Sequence, residues 1–381
     1  MEYFTVYTNA IDKFYEELDK FVLSKKKDVK YVIFGCNIIS GMMIDYIEKK
    51  GFIIESIIDN NPLKQGTYIY GKRVYSPEIY KSGFRTDVVF LIASSFVMEM
   101  SGQLKSYGYS EKQIIKLIDL QDLMSDYSYN IPEKMREMSN GQIKKCQLQL
   151  LKKLDDICNK YNLKYYMIFG TLLGAVRHNG YIPWDDDIDI GIPVKDFIKL
   201  TNILNKEQCK YKILSQFDTN FYFGSAIGYM VDLDTYSCVN KFPIQFTSGV
   251  NIEIFPLFGI PDDGSMDKYL QEAKKLEADC FNTLYCREEN ENNVKKFNEF
   301  LLKYDYDKCD KVGNYFMISY KKHIFEKNIF DKFEYLPFED IELRAPKQYD
   351  SYLQQVYGDY MKLPPIEQRK GSHFCKSFFK L

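Results

Sequence analysis

Gly170-Thr171-Leu172-Leu173-Gly174-Ala175-Val176-Arg177-His178-Asn179-Gly180-Tyr181-Ile182-Pro183-Trp184-Asp185-Asp186-Asp187-Ile188-Asp189-Ile190 sets four carboxylates in five consecutive positions at the start of an apolar, strand-like run. Asp is disfavoured in strands because its short side chain competes for backbone hydrogen bonds, yet Asp187 and Asp189 alternate with Ile188 and Ile190. The alternation predicts a strand from Asp187 to Gly191 with both carboxylates on one face. Adjacent anions on the rim of a core repel each other and lose hydration, so the pair calls for a cation. Hard oxygen donors in that arrangement suit Mg²⁺ or Mn²⁺. The plain alternative is a solvated acidic turn, because Pro and Asp are common turn residues. Against it stand the Ile alternation, the single Trp of the chain at position 184 and the Gly-Thr pair upstream. Asn251-Ile252-Glu253-Ile254 repeats the alternation and makes Glu253 the third candidate carboxylate.

These residues resemble the LicD family, phosphotransferases of the nucleotidyltransferase superfamily that attach phosphocholine and related groups to glycans. The resemblance rests on Gly170 to Gly174, Arg177 and Ile182 to Asp189. Two further blocks support it: Phe255-Pro256-Leu257, and Tyr357-Gly358-Asp359-Tyr360 followed by Leu363-Pro364-Pro365, Arg369 and His373. It spans about residues 134 to 375. Two departures stand out: Glu253 where the family usually has Asp, and Phe258 where a further acid often follows. Glu can serve the same ligand role with a longer reach.

The resemblance implies an α+β nucleotidyltransferase fold with Gly170-Thr171 opening a helix towards phosphate, Thr171 able to cap it and its free N–H groups favouring an anion. Asp187, Asp189 and Glu253 would hold Mg²⁺ (or Mn²⁺) against the diphosphate of a CDP-activated alcohol. Glu253 would orient or deprotonate an acceptor hydroxyl, and CMP would leave. Arg177, two helical turns from Gly170, would reach the phosphates. Arg369 and His373 would close over the site, and Asp185 and Asp186 would shape the turn or sit outside the inner ligands. A choline headgroup asks for aromatic faces, for which Tyr222, Tyr229 and Tyr236 are candidates. Three other readings stay open: transfer of NMP from an NTP, transfer of a polyol phosphate, and a binding protein whose acids hold metal structurally.

With 381 residues and 45% hydrophobic composition the chain has material for two domains. Lys+Arg 51 against Asp+Glu 53 leaves no global basic field for nucleic acid, and three His are too few for a His-based metal site. Nine cysteines without a Cys-x-x-Cys pair read as reduced thiols in a cytoplasmic protein. The N-terminus lacks the pattern of a signal peptide. The longest apolar stretch, Val88 to Met100, is short of the roughly 20 residues of a membrane helix. Peripheral contact with a membrane bearing a lipid-linked glycan acceptor stays compatible with this composition, and the oligomeric state is not legible.

Upstream, an amphipathic helix over residues 9–25 precedes a parallel α/β pattern. Strands are expected at Lys30 to Phe34, Phe52 to Asp59, Asp87 to Ile92 and Gln113 to Ile118, with a hairpin at Tyr70-Gly71-Lys72. Residues 1–126 therefore read as a Rossmann-like accessory domain. Its turn Gly35-Cys36-Asn37-Ile38-Ile39-Ser40-Gly41 is a degraded dinucleotide fingerprint, with Asn37 in place of a Gly and Asp59 where an acid would meet a ribose. Packing without a cofactor is the preferred reading of that turn. Asn130-Ile131-Pro132 marks a linker, and residues 134–381 form the second domain. There, strands are expected at Lys164 to Ile168, Tyr211 to Leu214, Ile227 to Asp232 and Val250 to Phe255. Residues 264–335 read as a helical insertion, a solvated face or one wall of the acceptor site. The overall expectation is α/β: a Rossmann-like domain followed by an α+β catalytic domain.

Overall fold

The computed structural model describes residues 5–7, 9–22, 29–62, 64–66, 68–69, 71–94, 96–119, 135–219, 226–241, 244–261, 264–283, 287–315, 321–366, 369 and 376–380. The linker at Asn130-Ile131-Pro132, Tyr222 and His373 lie outside them.

After a short strand, Thr5–Tyr7 (β1), and the helix Asn9–Val22, six strands build the first sheet: Lys30–Phe34 (β2), Ile53–Ile58 (β3), Tyr68–Ile69 (β4), Lys72–Tyr75 (β5), Val88–Ser94 (β6) and Ile114–Asp119 (β7). Their order is β4-β5-β3-β2-β6-β7, all parallel except for the hairpin strand β4. Counting the parallel strands alone, the third, second, first, fourth and fifth lie side by side, the order of doubly wound sheets. Both faces of β2 are covered. Tyr31 and Ile33 enter one core and Val32 and Phe34 the other, as period-two side chains must in a sheet sandwiched by helices.

The turn after β2 is closed on itself. The Asn37 side chain accepts from the N–H groups of Ile39 and Ser40 at the start of the helix Ile38–Lys49. The buried Asp59 carboxylate accepts from Cys36 N–H at 2.7 Å and Asn61 N–H at 2.8 Å, and lies 3.4 Å from Lys64 Nζ. The donors that would meet a pyrophosphate and the acid that would meet a ribose are thus engaged with each other's loops.

The second sheet has ten strands. Met135–Glu137 (β8), Tyr166–Met167 (β9), Asp189–Pro193 (β10), Tyr211–Leu214 (β11), Gly228–Lys241 (β12), Ile244–Ile260 (β13), Lys311–Gly313 (β14), Phe325–Glu326 (β15) and, past the separate hairpin Phe333–Phe338 (β16) with Ile341–Pro346 (β17), Ser377–Lys380 (β18) supply nine. The tenth is β1, antiparallel to β13. The chain's first described residues therefore belong to the sheet built otherwise from residues beyond 134. The long antiparallel pair β12·β13 is the spine, and β10 adds to β13 in parallel.

The helices of the insertion differ from the expectation of a solvated face. Its helices, Met266–Asn282 and Arg287–Leu301, bury Tyr269, Ala273, Cys280, Val294, Phe297 and Leu301, and the first of them packs against the helix Ile38–Lys49 of the parallel sheet. Its amphipathic pattern reflects two buried contacts, and one apolar core runs from the parallel sheet to the mixed sheet. Phe258 is likewise core, fully buried in β13. Cys36, Cys146, Cys158, Cys209 and Cys280 are free thiols, and burial raises those of Cys36 and Cys158 to about 11 and about 12. No helix among the described residues is long and apolar enough to cross a membrane.

Candidate active site

Asp189 begins β10 and is the register partner of Glu253 on β13. In-register residues of parallel neighbours point to the same face, so two acids far apart in sequence share one wall. Glu253 N–H donates to the Ile188 carbonyl at 2.8 Å, which locks the two lead-in segments together. Asp187 lies just before the strand, not inside it as expected. Asp185, Asp187, Asp189 and Glu253 all line one cavity of about 770 Å³. The tightest grouping is Asp185, Asp186 and Asp187, whose carboxylate oxygens lie within 4.8 Å of one another.

The helix Phe169–His178 crosses behind this wall. Thr171 does not cap it: the N-cap is Ile168, and the buried Thr171 hydroxyl accepts from Asp189 N–H at 2.8 Å, tying helix to strand. Nor is the helix start open to phosphate alone. A Cβ on Gly170 would sit 2.6 Å from Asp185 Oδ2, so glycine lets this chain's own carboxylate approach the positive end of the helix. Phe169 enters the helix at φ 43, a strained value for a side-chain-bearing residue. Its ring is wedged between Phe255 and His323, and its N–H donates to the Tyr352 hydroxyl at 3.3 Å.

The acidic segment is held in a vise of small residues. A Cβ on Gly174 would overlap the Gly180 carbonyl oxygen. One on Gly180 would come within 2.8 Å of Glu339 Cδ, at the tip of the β16–β17 hairpin. Glu339 N–H donates to the Asn179 carbonyl at 2.8 Å, and its carboxylate accepts from Tyr181 N–H. Beneath lies Gln147, 4% exposed on the helix Asn140–Lys160. Its Nε2 donates to the carbonyls of Asp186 (3.2 Å) and Asn251 (3.3 Å), and its Oε1 accepts from the Tyr181 hydroxyl (3.1 Å). One amide therefore spaces both acid-bearing segments. Gln147→Leu should leave these groups unmatched and cost ~1–3 kcal/mol, read as a lower urea midpoint with unchanged slope. An unshifted midpoint would show that the amide holds nothing.

The cavity is also lined by basic and aromatic side chains. Arg177, Lys322 and Lys362 line it, with Trp184, Phe255, Tyr357 and Tyr360. Arg177 Nη1 donates to the Tyr360 carbonyl at 2.9 Å. Arg369 is not a lining residue. Its guanidinium stacks on Trp184, 5.4 Å from the ring centroid, while Nε donates to the Pro364 carbonyl. Burial of its hydroxyl and the charges of Asp189, Asp185 and Asp187 push the Tyr357 phenol well above its usual range. Of the aromatic candidates, Tyr229 is fully buried as the cross-strand partner of Glu253 and Tyr236 packs against Phe378 on β18, and neither lines the cavity.

Sequence reading missed His323 and Gln147. Gln147 had a signal, as a polar residue on the apolar stripe of Leu151, Leu154 and Cys158. His323 had none: it lies past the insertion's two helices and, with Lys322, is the described part of residues 264–335 that lines the cavity. Burial, aided by the charge of Lys322, lowers its pKa to about 4. With the folded value below the unfolded ~6.5, the unfolded chain binds the extra proton, so stability falls as pH drops from about 6.5 towards 4. His323→Phe should flatten that part of the stability profile, measured by urea unfolding at several pH values. An unaltered profile would acquit His323.

Residues 162–270 match the family model described as LicD/FKTN/FKRP, nucleotidyltransferase domain. This part of the chain belongs to the LicD family. The matched segment of the LicD domain holds Gly170, Thr171, Arg177, Asp187, Asp189 and Glu253 together. The chain is 26% identical to the lipopolysaccharide cholinephosphotransferase LicD of Haemophilus influenzae, over 61% of this chain and 94% of that protein. A shorter stretch, 20% of this chain and 32% of the relative, is 44% identical to the uncharacterized protein RP689 of Rickettsia prowazekii. A segment covering 9% of this chain and 7% of the relative is 50% identical to human ribitol 5-phosphate transferase FKRP. Residues 1–118 match a second model, described as a C-methyltransferase C-terminal domain.

Proposed function

We propose that the LicD domain transfers a substituted phosphoryl group, phosphocholine or a related aminoalkyl phosphate, from a CDP-activated alcohol to a hydroxyl of a cell-surface glycan or its lipid-linked precursor. The observation that carries this reading is the register pair Asp189–Glu253, which with Asp187 lines a cavity that Arg177, Lys322 and Lys362 also line. Carboxylates able to hold a divalent cation and cations able to meet phosphate oxygens are together what a diphosphate needs. The named relatives, a cholinephosphotransferase and a ribitol 5-phosphate transferase, share the group-transfer class.

In this reading residues 134–381 form a nucleotidyltransferase-fold domain, and residues 1–126 a Rossmann-like accessory domain working at the cytoplasmic side of the membrane. The oxygen-only donor set of Asp187, Asp189 and Glu253 fits Mg²⁺ or Mn²⁺, which would supply neutralisation of the diphosphate and of the departing CMP. Arg177 and the lysines orient the phosphates. The acceptor oxygen forms a bond to the headgroup-bearing phosphorus as the bond to the CMP oxygen breaks, the electron pair leaving with CMP. Glu253 takes the hydroxyl proton.

The test is incubation with Mg²⁺ and CDP-choline, CDP-ethanolamine, CDP-ribitol or CTP, reading CMP, pyrophosphate and thermal stabilisation. Ligand at about 100 times its dissociation constant should stabilise the fold by ~2.7 kcal/mol. CMP from one CDP-alcohol supports the proposal. Pyrophosphate from CTP would replace it with nucleotidyl transfer, and silence from every donor would sink it.

A further inference from the structure

A second cavity, about 490 Å³, opens beside the first and is lined by Asp350, Gln354, Gly358, Asp359, Tyr360 and Met361. Its size is that of small-molecule sites. Asp359 and Tyr360 line both cavities, so the segment after the helix Tyr349–Tyr357 is a shared partition. Arg177 anchors that partition through the Tyr360 carbonyl.

The chemistry of the two chambers differs. The first pairs acids with Arg177 and two lysines. The second offers carboxylates, an amide and a phenol ring, and among the described residues neither Asp350 nor Asp359 has a cationic partner. Asp350 is held in place by two donors, the Tyr360 hydroxyl to Oδ1 at 2.7 Å and Gln354 Nε2 to Oδ2 at 2.8 Å. A carboxylate oriented in this way keeps lone pairs for further donors, and each of its oxygens can accept from a hydroxyl. The Asp350 bond raises the Tyr360 phenol to about 12, so it remains a donor at any working pH. The cations that could meet phosphate, Arg177, Lys322 and Lys362, line the first cavity and not the second.

The geometry points to the second cavity as the acceptor subsite, built for a sugar ring that presents vicinal hydroxyls and carries no negative charge. Asp350 and Gln354 hold hydroxyls away from the reacting one, Tyr360 and Met361 supply apolar surface, and Asp359 stands where the sugar meets the donor. The inference rests on the phosphotransferase reading above and adds to it the class of acceptor.

The experiment separates the two. Acceptor KM and donor KM are measured from CMP release with methyl hexopyranoside, methyl hexosaminide and methyl hexuronide, for the natural chain, Asp350→Asn and Gln354→Ala. Loss of a hydrogen bond to a charged group should raise KM for the neutral sugar at least ~10-fold in Asp350→Asn while donor KM stays put. The uronide should be the poorest acceptor and gain on the others in that variant. Unchanged acceptor KM, with CMP still released, would overturn the subsite and leave the phosphotransferase reading standing. If no CDP-alcohol is turned over, that reading fails, and saturation-transfer NMR of methyl hexopyranoside decides the subsite. Signal weakened in Asp350→Asn supports it; equal signal in both proteins overturns it.

Discussion

Asp189→Asn should lower CMP release by at least ~10³-fold while the protein stays folded, because the divalent cation proposed to be held by Asp187, Asp189 and Glu253 would supply several kcal/mol of the barrier reduction. The position makes the test clean. Asp189 is held through its backbone, by Thr171 Oγ1 on its N–H and by its carbonyl to Ile168 N–H at 3.2 Å, and Asn preserves both bonds. The variant removes charge with the shape retained. Circular dichroism and the urea midpoint report the fold, and Mn²⁺-induced thermal stabilisation reports the cation independently of turnover. Stabilisation by Mn²⁺ lost together with activity supports Asp189 as a ligand. Activity within tenfold of the natural chain would remove the acids from the chemistry and restore the reading in which they are structural.

The second large effect is expected from a residue that touches no substrate. Gly174→Ala adds one methyl group, and that group would overlap the Gly180 carbonyl oxygen and approach Ile182 N to 3.3 Å. Backbone cannot rotate out of the way as a side chain does. The loop from Asn179 to Asp187 must move, and it is tethered further on by Glu339 and Gln147. Overpacking of this kind costs ~1–3 kcal/mol. A displacement of about 1 Å at reacting groups can lower turnover ~10²-fold, so activity should fall further than stability alone explains. The check is kcat measured well below the unfolding temperature, compared with the urea midpoint. If kcat is unchanged, the close helix-to-loop contact does not position the acids. Ser at 174 should behave like Ala, since Cβ is the offending atom.

Both predictions concern a wall that was largely legible in the primary structure. The period-two alternation of Asp187, Ile188, Asp189 and Ile190 predicted an acidic strand, and its echo at Ile252, Glu253 and Ile254 predicted the partner. The register Asp189 to Glu253 joins them. The strands of the parallel sheet were readable for the same reason: continuous apolar runs such as Tyr31 to Phe34 are what a doubly covered sheet requires. Less was readable where a residue's role depends on what comes from elsewhere in the chain. Thr171 looked like a cap because Ser and Thr commonly occupy that position, but the strand brought beneath it engages its hydroxyl. The insertion looked solvated because half of each helix is polar, and nothing local says that the other half meets two partners.

Taken alone, the order of residues determined the α/β class and the acid-bearing strands, since each follows from side-chain periodicity acting over a few residues. Only the tertiary structure decided that β1 joins the far sheet, that Gln147 and Glu339 set the spacing of the acidic segments, that His323 and Lys322 line the acid-bearing cavity, and that the Asp350 cavity adjoins it. Those are contacts between segments separated by tens to hundreds of residues. They depend on sheet register and on close backbone approach, which no local pattern encodes.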